Sequence, residues 1–390
     1  MKNKNLKKKR RVPELRFPEF SGEWEEKRLG AISIINKNKK IPDKFFYIDL
    51  ESVNEGTLDR SLIMYNKSNA PSRARRVISK GDILYSTVRP YQNNNLYIDF
   101  AIEIPIVAST GFALIQSKID NKFIYYYMCN NKYTIEVLKR CTGTSYPAIN
   151  TTDLSNTMII YPKHTMEQQK IGNFFYTIDK KLELQEEKID TLKEYKKGMM
   201  QKIFSQEIRF KDDDGKDFPD WKEKRLGEVC KIRKGEQLNR KKFVENGKYY
   251  VLNGGREPSG YYNLWNTESN TISTSEGGES CGYVTYNFER FWSGGHLYTL
   301  ENLKESVNDK FLFQYLKKYE REIMRLRVGS GLPNIQKKDL DSFKIQIPSL
   351  LEQKKIANFL SAIDKKIELE EEKLENMREF KKGLMQRMFV

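Results

Sequence analysis

One long stretch of this sequence is present twice. Residues 167–204 recur as residues 352–389, and 22 of the 38 aligned positions are identical at a constant offset of 185. Self-similarity at a fixed spacing defines the architecture of a chain before any local motif does. The sequence therefore predicts a duplicated structure in which each half ends with the repeated stretch.

Both copies have the apolar periodicity of a long helix. Apolar residues alternate three and four positions apart, which is the heptad spacing of a coiled-coil seam. At 1.5 Å per residue each helix would be about 57 Å long. The predicted seam residues are Ile171, Phe175, Ile178, Leu182, Gln185, Ile189, Leu192, Ile356, Leu360, Ile363, Ile367, Glu370, Leu374 and Met377.

Polar residues interrupt this seam at the same places in both copies. Gln185 and Lys196 do so in the first copy, and Glu370 and Lys381 in the second. A polar seam residue costs stability but can fix register and orientation. Because an apolar stripe needs a partner, we predict that the two copies pack against each other. The alternative is that each amphipathic helix lies on its own domain.

The duplication extends beyond the helices. Glu-Leu-Arg-Phe at 14–17 returns as Glu-Ile-Arg-Phe at 207–210, and Lys-Arg-Leu-Gly occurs at 27–30 and at 224–227. Each half is therefore an opening segment, a globular domain and a long helix. The predicted divisions are a basic tail at 1–13, a first globular domain at 14–163, a first long helix at 164–204, a polar linker at 205–217, a second globular domain at 218–348 and a second long helix at 349–390.

Both globular domains are predicted to be of mixed α/β type. Short runs rich in β-branched and aromatic residues, bounded by turn formers, indicate strands. The predicted strands are 83–88, 97–102, 105–108, 112–116 and 158–161 in the first domain, and 249–252, 271–274, 283–286, 297–300 and 343–347 in the second. Each domain also has one predicted helix, at 122–140 and 310–327, followed by a glycine loop at 143–149 and 329–335.

The charge of the chain indicates a polyanionic partner. Lys and Arg number 69 against 53 Asp and Glu, a net charge of +16. Each repeated helix contributes only +1, so the excess lies in the tail and the globular domains. A basic surface of this kind is typical of nucleic-acid binding. The tail sequence Leu-Lys-Lys-Lys-Arg-Arg-Val resembles a nuclear-localisation match or a DNA-binding arm, but a solvated, disordered tail is the favoured interpretation.

Cysteine and histidine usage argues against a metal site. The four cysteines have no CxxC spacing, and the chain has only two histidines, so a structural zinc is not expected. Reduced cysteines favour a cytoplasmic location. No apolar run reaches the length of a membrane span, and no hydrophobic region follows the N-terminal charges, so we expect neither a membrane helix nor a signal peptide.

The two domains differ most in their polar loops. These loops are rich in side chains that read base edges, which favours two readers of different sequences, although drift of surface loops would look similar. The predicted DNA contacts are Arg73, Arg75, Arg76, Ser86, Thr87, Arg89, Gln92 and Asn94 in the first domain, and Arg256, Ser275, Glu276, Ser280 and His296 in the second. The basic residues among them could contact phosphates instead of bases.

No catalytic constellation is present in the sequence. It has no amino-methyltransferase signature, no glycine-rich loop for S-adenosylmethionine after a strand and no phosphate-binding GxxxxGK[ST] loop. These absences argue against an autonomous methyltransferase or nuclease. A stand-alone DNA-binding regulator that dimerises through its helices is the other alternative.

Taken together, the chain resembles the specificity subunit of type I restriction-modification systems over residues 12–389. The resemblance rests on the paired EQxKI...FxxxIDKKxEL helices ending in KKGxMQ, on the Lys-Arg-Leu-Gly openings, on Gly-Asp-Ile-Leu at 81–84 with Arg-Pro at 89–90, and on the glycine loops. The family fold implies two α/β (α+β) target recognition domains separated by two long antiparallel coiled-coil helices, an internal pseudo-two-fold repeat. Gly-Asp-Ile-Leu and Arg-Pro have no evident counterpart in the second half, which suggests a different class of loop there.

The resemblance also implies function and partners. The subunit would be non-catalytic, with no cofactor of its own. Its two domains would read the halves of a bipartite, asymmetric site on double-stranded DNA, and its helices would set the spacer. It would bind two methyltransferase (modification) subunits, which use S-adenosylmethionine, and through them the restriction subunits, which use ATP and Mg²⁺. The expected location is the prokaryotic cytoplasm, in association with the nucleoid and with no membrane contact.

Overall fold

The computed structural model describes residues 11–54, 56–59, 61–329, 331 and 333–390, so the first ten residues of the predicted basic tail lie outside it. The chain divides into two compact units. The first unit consists of Met1–Glu186 and Lys373–Val390, and the second of Glu187–Glu372. Each unit thus combines one globular domain with a segment of both long helices.

The first globular domain contains short strands, four helices and one 3₁₀ turn. Its strands are β1 (Glu25–Arg28), β2 (Ser33–Ile35), β3 (Lys44–Ile48), β4 (Val53–Asn54), β5 (Thr57–Leu58), β6 (Ile63–Asn66), β7 (Ala74–Val77), β8 (Ile83–Ser86), β9 (Leu96–Tyr97), β10 (Ile106–Ser109), β11 (Phe112–Ser117) and β12 (Met158–Tyr161). Its helices are α1 (Leu29–Ile32), α2 (Asn121–Cys129), α3 (Asn131–Leu138) and α4 (Thr151–Ser155), and the 3₁₀ turn is Pro90–Gln92. The long helix α5 (Thr165–Phe204) follows.

The second globular domain repeats this order with fewer strands. They are β13 (Lys222–Arg225), β14 (Lys231–Lys234), β15 (Tyr249–Leu252), β16 (Gly260–Tyr262), β17 (Thr271–Ser275), β18 (Val284–Asn287), β19 (Trp292–Ser293), β20 (Leu297–Glu301) and β21 (Lys344–Ile347). The helices are α6 (Leu226–Val229), α7 (Asp309–Lys318), α8 (Glu320–Met324) and α9 (Lys337–Asp341), with a 3₁₀ turn at Arg240–Lys242, and the long helix α10 (Leu350–Met388) follows. The glycine loop at 329–335 contains Ser330 and Leu332, which are not among the described residues.

The sheets of the two units have matching strand orders. The order β2-β11-β8-β9 in the first unit corresponds to β14-β20-β17-β18 in the second, with antiparallel pairs throughout. The second sheet contains a parallel pair in both units, β3 with β10 and β15 with β19. Strand β8, which begins with the Ile-Leu of Gly-Asp-Ile-Leu, therefore has a structural counterpart in β17. The sequence did not reveal it because β8 reads Ile-Leu-Tyr-Ser whereas β17 reads Thr-Ile-Ser-Thr-Ser.

An antiparallel ribbon joins the beginning and end of each globular domain. β1 pairs with β12, and β13 pairs with β21, each over four residues in register. The Lys-Arg-Leu-Gly motif marks the point where the ribbon strand passes into helix α1 or α6. Gly30 and Gly227 sit there against Ser155 and Asp341, where a Cβ would be crowded. The glycine of the repeated motif therefore allows helix α1 or α6 to pack closely against its neighbour, where a side chain would clash.

The long helices pack against each other within each unit. In the first unit Phe175 of α5 stacks on Phe389, the residue directly after α10, at 5.5 Å, and Glu186 of α5 pairs with Arg378 of α10. As the α5 residue number rises the α10 number falls, so these segments run antiparallel. The same holds in the second unit, where Lys193 pairs with Glu371 and Lys196 with Asp364.

The helix segments also complete the domain cores. Ile171 and Phe175 join the core of the first unit, while Phe204 and Leu360 join that of the second. Both interpretations of the seam therefore apply, because each segment contacts the other helix and a globular domain. All fourteen predicted seam residues are buried or half-buried. Glu370 is half-buried and forms an ion pair with Lys188 at 2.5 Å.

Several local predictions need correction. The predicted helix 122–140 is two helices, because Asn130 has an extended backbone conformation between them. Its side chain caps α3 by accepting from the Tyr133 N–H. The predicted helix 310–327 also divides, at Tyr319 between α7 and α8, but without a side-chain cap. The predicted strand 97–102 is only the two-residue β9. The fold class, two mixed α/β domains with two long helices in an internal repeat, is confirmed.

Candidate nucleic-acid interface

In the first unit the glycine loop closes over the end of the central strand β8. Val88 forms an antiparallel bridge with Ala148. The next residue, Arg89, donates its backbone N–H to the carbonyl of Pro147 at 2.8 Å. The loop thereby holds the turn that carries the predicted DNA contacts.

The second unit builds the same turn from different residues. Gly277 forms the bridge with Asn334, and the Gly278 N–H donates to the carbonyl of Pro333 at 3.2 Å. The backbone arrangement at the end of β17 therefore matches that at the end of β8, while the side chains differ.

Only part of the predicted set in the first unit lies on the surface. The exposed members are Arg73, Arg75 and Gln92. Arg76 is half-buried and donates Nε to the Phe112 carbonyl at 3.3 Å, and burial lowers the pKa of its guanidinium. Asn94 is also half-buried. Arg73, directly before β7, and Arg75, within β7, are thus exposed cations.

Two predicted contacts are buried serines. Ser86 is 2% exposed and donates its hydroxyl to the Val88 carbonyl at 2.8 Å. Ser275 is 1% exposed and donates to the carbonyls of Gly254 and Gly277, at 2.5 and 3.3 Å. Both hydroxyls therefore donate within equivalent turns, and their assignment to DNA contacts stays a prediction. Sequence reasoning could not separate them from surface serines because each ends a strand and is followed by another polar residue.

Thr87 and Arg89 lie next to this turn. Thr87 is half-buried and donates its hydroxyl to the Gly111 carbonyl at 2.7 Å, which makes it a structural residue as well. The Arg89 guanidinium stands over the ring of Tyr146, 4.3 Å from its centroid. Tyr146 belongs to the glycine loop and was not among the predicted contacts.

Glu276 is the centre of a polar cluster in the second unit. It is 8% exposed, and its carboxylate accepts from Lys234 Nζ at 2.6 Å and from the Tyr298 hydroxyl at 3.2 Å. The exposed His296 has its Nδ1 3.6 Å from the other carboxylate oxygen. Burial, together with the nearby Glu276 carboxylate, raises the pKa of Tyr298 to about 12. Glu276 organises the cluster, and His296 and Lys234 are the members that face solvent.

The remaining predicted contacts of the second unit differ in exposure. Arg256 is exposed and lies over the Tyr283 ring at 5.0 Å, whereas Ser280 is half-buried. Arg256 follows the tight turn at Gly254, whose φ is +84°. This loop presents a cation close to the turn that Gly277 and Gly278 form.

A repeated ion pair anchors each opening segment to its long helix. Arg16 binds the fully buried Glu167 through two nitrogens, at 2.7 and 2.8 Å. Arg209 binds the fully buried Glu352 in the same way, at 3.2 and 2.9 Å. We call these two ion pairs the clamps. The arginines lie in the repeated opening segments and the glutamates in the Glu-Gln pairs that begin the long helices. The two motifs are far apart in sequence, so the sequence alone did not reveal their contact.

The glutamine beside each clamp fastens a domain helix. Gln168 accepts from the backbone N–H of Asp120 at 3.2 Å, just before helix α2. Gln353 accepts from the N–H of Asn308 at 2.8 Å, just before α7. The Glu-Gln pair at each helix start thus connects the helix to the opening segment and to the domain.

The lysines that interrupt the seam form reciprocal ion pairs. Lys381 of α10 pairs with Asp179 of α5 in the first unit. Lys196 of α5 pairs with Asp364 of α10 at 2.6 Å in the second. The two lysines and the two aspartates are each separated by the repeat offset of 185. Each copy of the helix therefore supplies one partner to each pair, which is the contact pattern of a two-fold repeat.

The aspartates of these pairs also bind the globular domains. Asp179 accepts from the Tyr126 hydroxyl at 2.8 Å, and Asp364 accepts from the Gln314 side chain at 2.7 Å. Burial and the nearby carboxylate raise the pKa of Tyr126 well above its usual range. The aspartate of the Ile-Asp-Lys-Lys motif thus binds both the other long helix and the globular domain of its unit.

Neither metal chemistry nor a membrane span is evident in the part of the chain that the structure describes. No cluster of three or more His, Cys, Asp or Glu there could hold a metal ion. The four cysteines are free. Over the same residues, no helix is long and apolar enough to cross a bilayer.

The duplicated domains match a known family. The model of the type I restriction modification DNA specificity domain matches residues 21–194 and again residues 219–378. The chain belongs to the type I specificity subunits. These are the non-catalytic components of restriction-modification complexes, which excludes the autonomous enzyme considered from the sequence.

Named relatives agree with this assignment. A putative type I restriction enzyme specificity subunit of Methanocaldococcus jannaschii is 26% identical over 94% of this chain and 93% of its own length. A putative type I specificity subunit of Mycoplasma pneumoniae is 35% identical over 44% of this chain. That match and one in Mycoplasma genitalium span only 46% and 39% of those relatives.

A solved structure supports the fold of this specificity subunit. The S subunit of a type I restriction-modification system from M. genitalium aligns with 97% of this chain and 99% of its own, with a TM-score of 0.66 at 18% identity. In this specificity subunit each helix segment already has a partner within the chain. The seam is therefore occupied, which removes the surface that a stand-alone dimerising regulator would use.

Proposed function

We propose that each unit reads one half of a bipartite, asymmetric site on double-stranded DNA. The observation that carries this proposal is the contrast at the ends of β8 and β17. The backbone turn is the same in both units, but it presents Arg89 in one and Gly278 in the other. A common backbone with different side chains is what reading two different sequences requires. The net charge of +16 supports a phosphate backbone as partner.

Mapping the methylated bases of host DNA tests this proposal. Cells that carry the chain with its methyltransferase should contain one bipartite motif with two unlike halves. A motif that is continuous, or no motif dependent on this chain, would refute it. The purified chain alone should bind DNA weakly and with strong dependence on salt. Tight, specific binding by the chain alone would instead favour the stand-alone regulator.

We infer that the paired helices set the length of the unread spacer. The reciprocal pairs Lys381–Asp179 and Lys196–Asp364 support a fixed register between the helices. Four residues inserted in phase into one helix add about 6 Å, slightly less than two base pairs at about 3.4 Å each. The methylated motif should then gain one or two spacer base pairs while both halves stay the same. An unchanged spacer would refute the inference.

We further infer that the outer helix faces bind two copies of one methyltransferase subunit. Large apolar side chains are exposed there in pairs separated by the repeat offset. The first unit has Leu184 and Phe380, 64% and 63% exposed, and the second has Leu369 and Tyr195, both 51% exposed. Exposed residues ordinarily drift, so a surface retained in both copies fits one partner bound twice.

Two helix glycines support the same inference. Gly198 and Gly383 occupy equivalent places beside Tyr195 and Phe380, and no described residue lies within 4 Å of where a Cβ would stand. A glycine inside a helix costs about 1 kcal/mol relative to alanine. Nothing in the described chain requires this cost, whereas a partner helix in close approach would.

Stoichiometry measures this docking directly. Leu184→Glu with Phe380→Glu should leave one bound methyltransferase subunit where the unaltered chain holds two, measured by native mass spectrometry of the copurified complex. The matched pair Leu369→Glu with Tyr195→Glu should remove the other. Tyr261→Glu, at an aromatic position that is 46% exposed on a globular domain, is the control. Two bound subunits in both double variants would refute the assignment.

The cofactors follow from these partners. S-adenosylmethionine would be used by the methyltransferase subunits, and ATP with Mg²⁺ by restriction subunits bound through them. The chain itself would hold neither.

A further inference from the structure

Arg89 has an unusual backbone conformation for its residue type. Its φ and ψ are 50° and 54°, in the left-handed region, directly before the 3₁₀ turn Pro90–Gln92. A side chain with a Cβ is strained there, and such residues persist where the surroundings or a function require them.

The second unit identifies what the fold itself requires at this point. Gly278 donates the equivalent backbone hydrogen bond and has a φ of 73°. Both units therefore need a positive φ after the bridge to the glycine loop. Gly278 meets that need without strain, whereas Arg89 does not. The backbone of this turn does not require an arginine, so the side chain must account for its presence.

The side chain of Arg89 is stacked and otherwise unpaired. Its guanidinium lies 4.3 Å from the centroid of the Tyr146 ring, and no described residue forms an ion pair or hydrogen bond with it. Tyr146 is 64% exposed, so the stack lies at the surface of the glycine loop. Arg89 itself is half-buried. Stacking on an aromatic ring fixes the plane of the guanidinium and uses none of its five donors.

We propose that Arg89, held flat by Tyr146, reads a guanine in the half-site of the first unit. The planar fork matches guanine O6 and N7 in the major groove, which is the commonest specific side-chain contact to a base. The second unit has glycine at this place, so it reads its half-site with other residues. The assignment rests on the proposed function, because it presumes that the first unit faces a half-site.

Replacing Arg89 with glycine separates an effect on folding stability from an effect on DNA recognition. Arg89→Gly copies the second unit and relieves the strained conformation, so Tm should equal or exceed that of the unaltered chain. The complex with methyltransferase should lose about 5- to 150-fold in affinity for its cognate site. Discrimination should disappear at one G·C pair of the first half-site and remain at every other position. Tyr146→Ala should weaken discrimination at that same pair.

Binding of each complex to a panel of duplexes, one base pair changed at a time, measures these effects. Arg28→Ala removes an exposed arginine of the β1–β12 ribbon and is the control. Undiminished discrimination by Arg89→Gly overturns the proposal. So does a uniform loss of affinity with a weaker salt dependence, which marks a phosphate contact. If the unaltered complex itself lacks a bipartite target, the proposed function fails instead.

Discussion

The two units of this chain share their anchoring contacts and differ in their polar loops. Both have a clamp, a ribbon that closes the domain and an aspartate–lysine pair between the helices. At the ends of β8 and β17, in contrast, Gly278 stands where the first unit has Arg89, and the buried Glu276 stands where it has Thr87. The comparison separates residues that hold the domain on the helices from residues that are free to change what the domain binds.

The anchoring contacts are equivalent but not identical. Trp24 donates its indole N–H to the clamp residue Glu167 at 3.3 Å. The corresponding Trp221 has a buried indole nitrogen with no hydrogen-bond partner among the described residues. The clamp of the first unit is also the less exposed, with 12% of the Arg16 side chain accessible against 22% for Arg209. The first unit should therefore depend more on its clamp than the second does.

Removing the clamp carboxylates should have the largest effect. Glu167→Ala should lower the free energy of unfolding by about 3 kcal/mol, the low end of the range for breaking a buried ion pair, because Arg16 retains some contact with water. Glu352→Ala should cost somewhat less, since Arg209 is more exposed and Trp221 loses nothing. Urea unfolding of both variants measures this. Equal losses, or a larger loss for Glu352→Ala, would contradict the ranking.

The pairs between the helices should contribute less and contribute equally. Double-mutant cycles on Lys196 with Asp364 and on Lys381 with Asp179 should each give a coupling of about 0.5 kcal/mol, because the side chains are only partly buried. Thermal unfolding of the single and double alanine variants supplies the four values of each cycle. A coupling found in only one unit would break the equivalence of the two helix segments.

Moving the chain ends should have the smallest effect. Leu15 donates its backbone N–H to the Arg387 carbonyl at 2.9 Å, as Ile208 does to the Lys202 carbonyl at 3.1 Å across a continuous chain. Joining residue 390 to residue 13 and opening the chain within 205–217 should therefore change stability by less than about 0.5 kcal/mol.

Calorimetry and methylation mapping of this permuted chain provide the check. The motif should be the same as that of the unaltered chain. Failure to fold would mean that the contact at Leu15 does not substitute for a covalent connection.

The sequence alone predicted much of this architecture. The offset of 185 identified two helices that the structure gives as Thr165–Phe204 and Leu350–Met388, and the seam pattern identified their inward faces. Periodicity succeeds there because one stripe of each helix is buried along most of its length. Strands such as Tyr249–Leu252 and Met158–Tyr161 were also predicted at their observed bounds.

The parts that could not be predicted depend on contacts between distant residues. The ribbon strands β1 and β13 read Glu-Glu-Lys-Arg and Lys-Glu-Lys-Arg, which carry no strand signal and are defined by pairing with β12 and β21. Ser86 and Ser275 looked accessible but are buried in a turn. Tyr146 escaped notice because its role depends on a stack with Arg89 across the loop.

Copying the first globular domain into the second unit tests whether each domain carries its own sequence specificity. Residues 24–161 would replace residues 221–347, so that both clamps and both helix segments remain. If the anchoring contacts are equivalent and each globular domain specifies its own half-site, methylation mapping should reveal the first half-site in both places with the original spacer. Retention of the original second half-site would contradict the account.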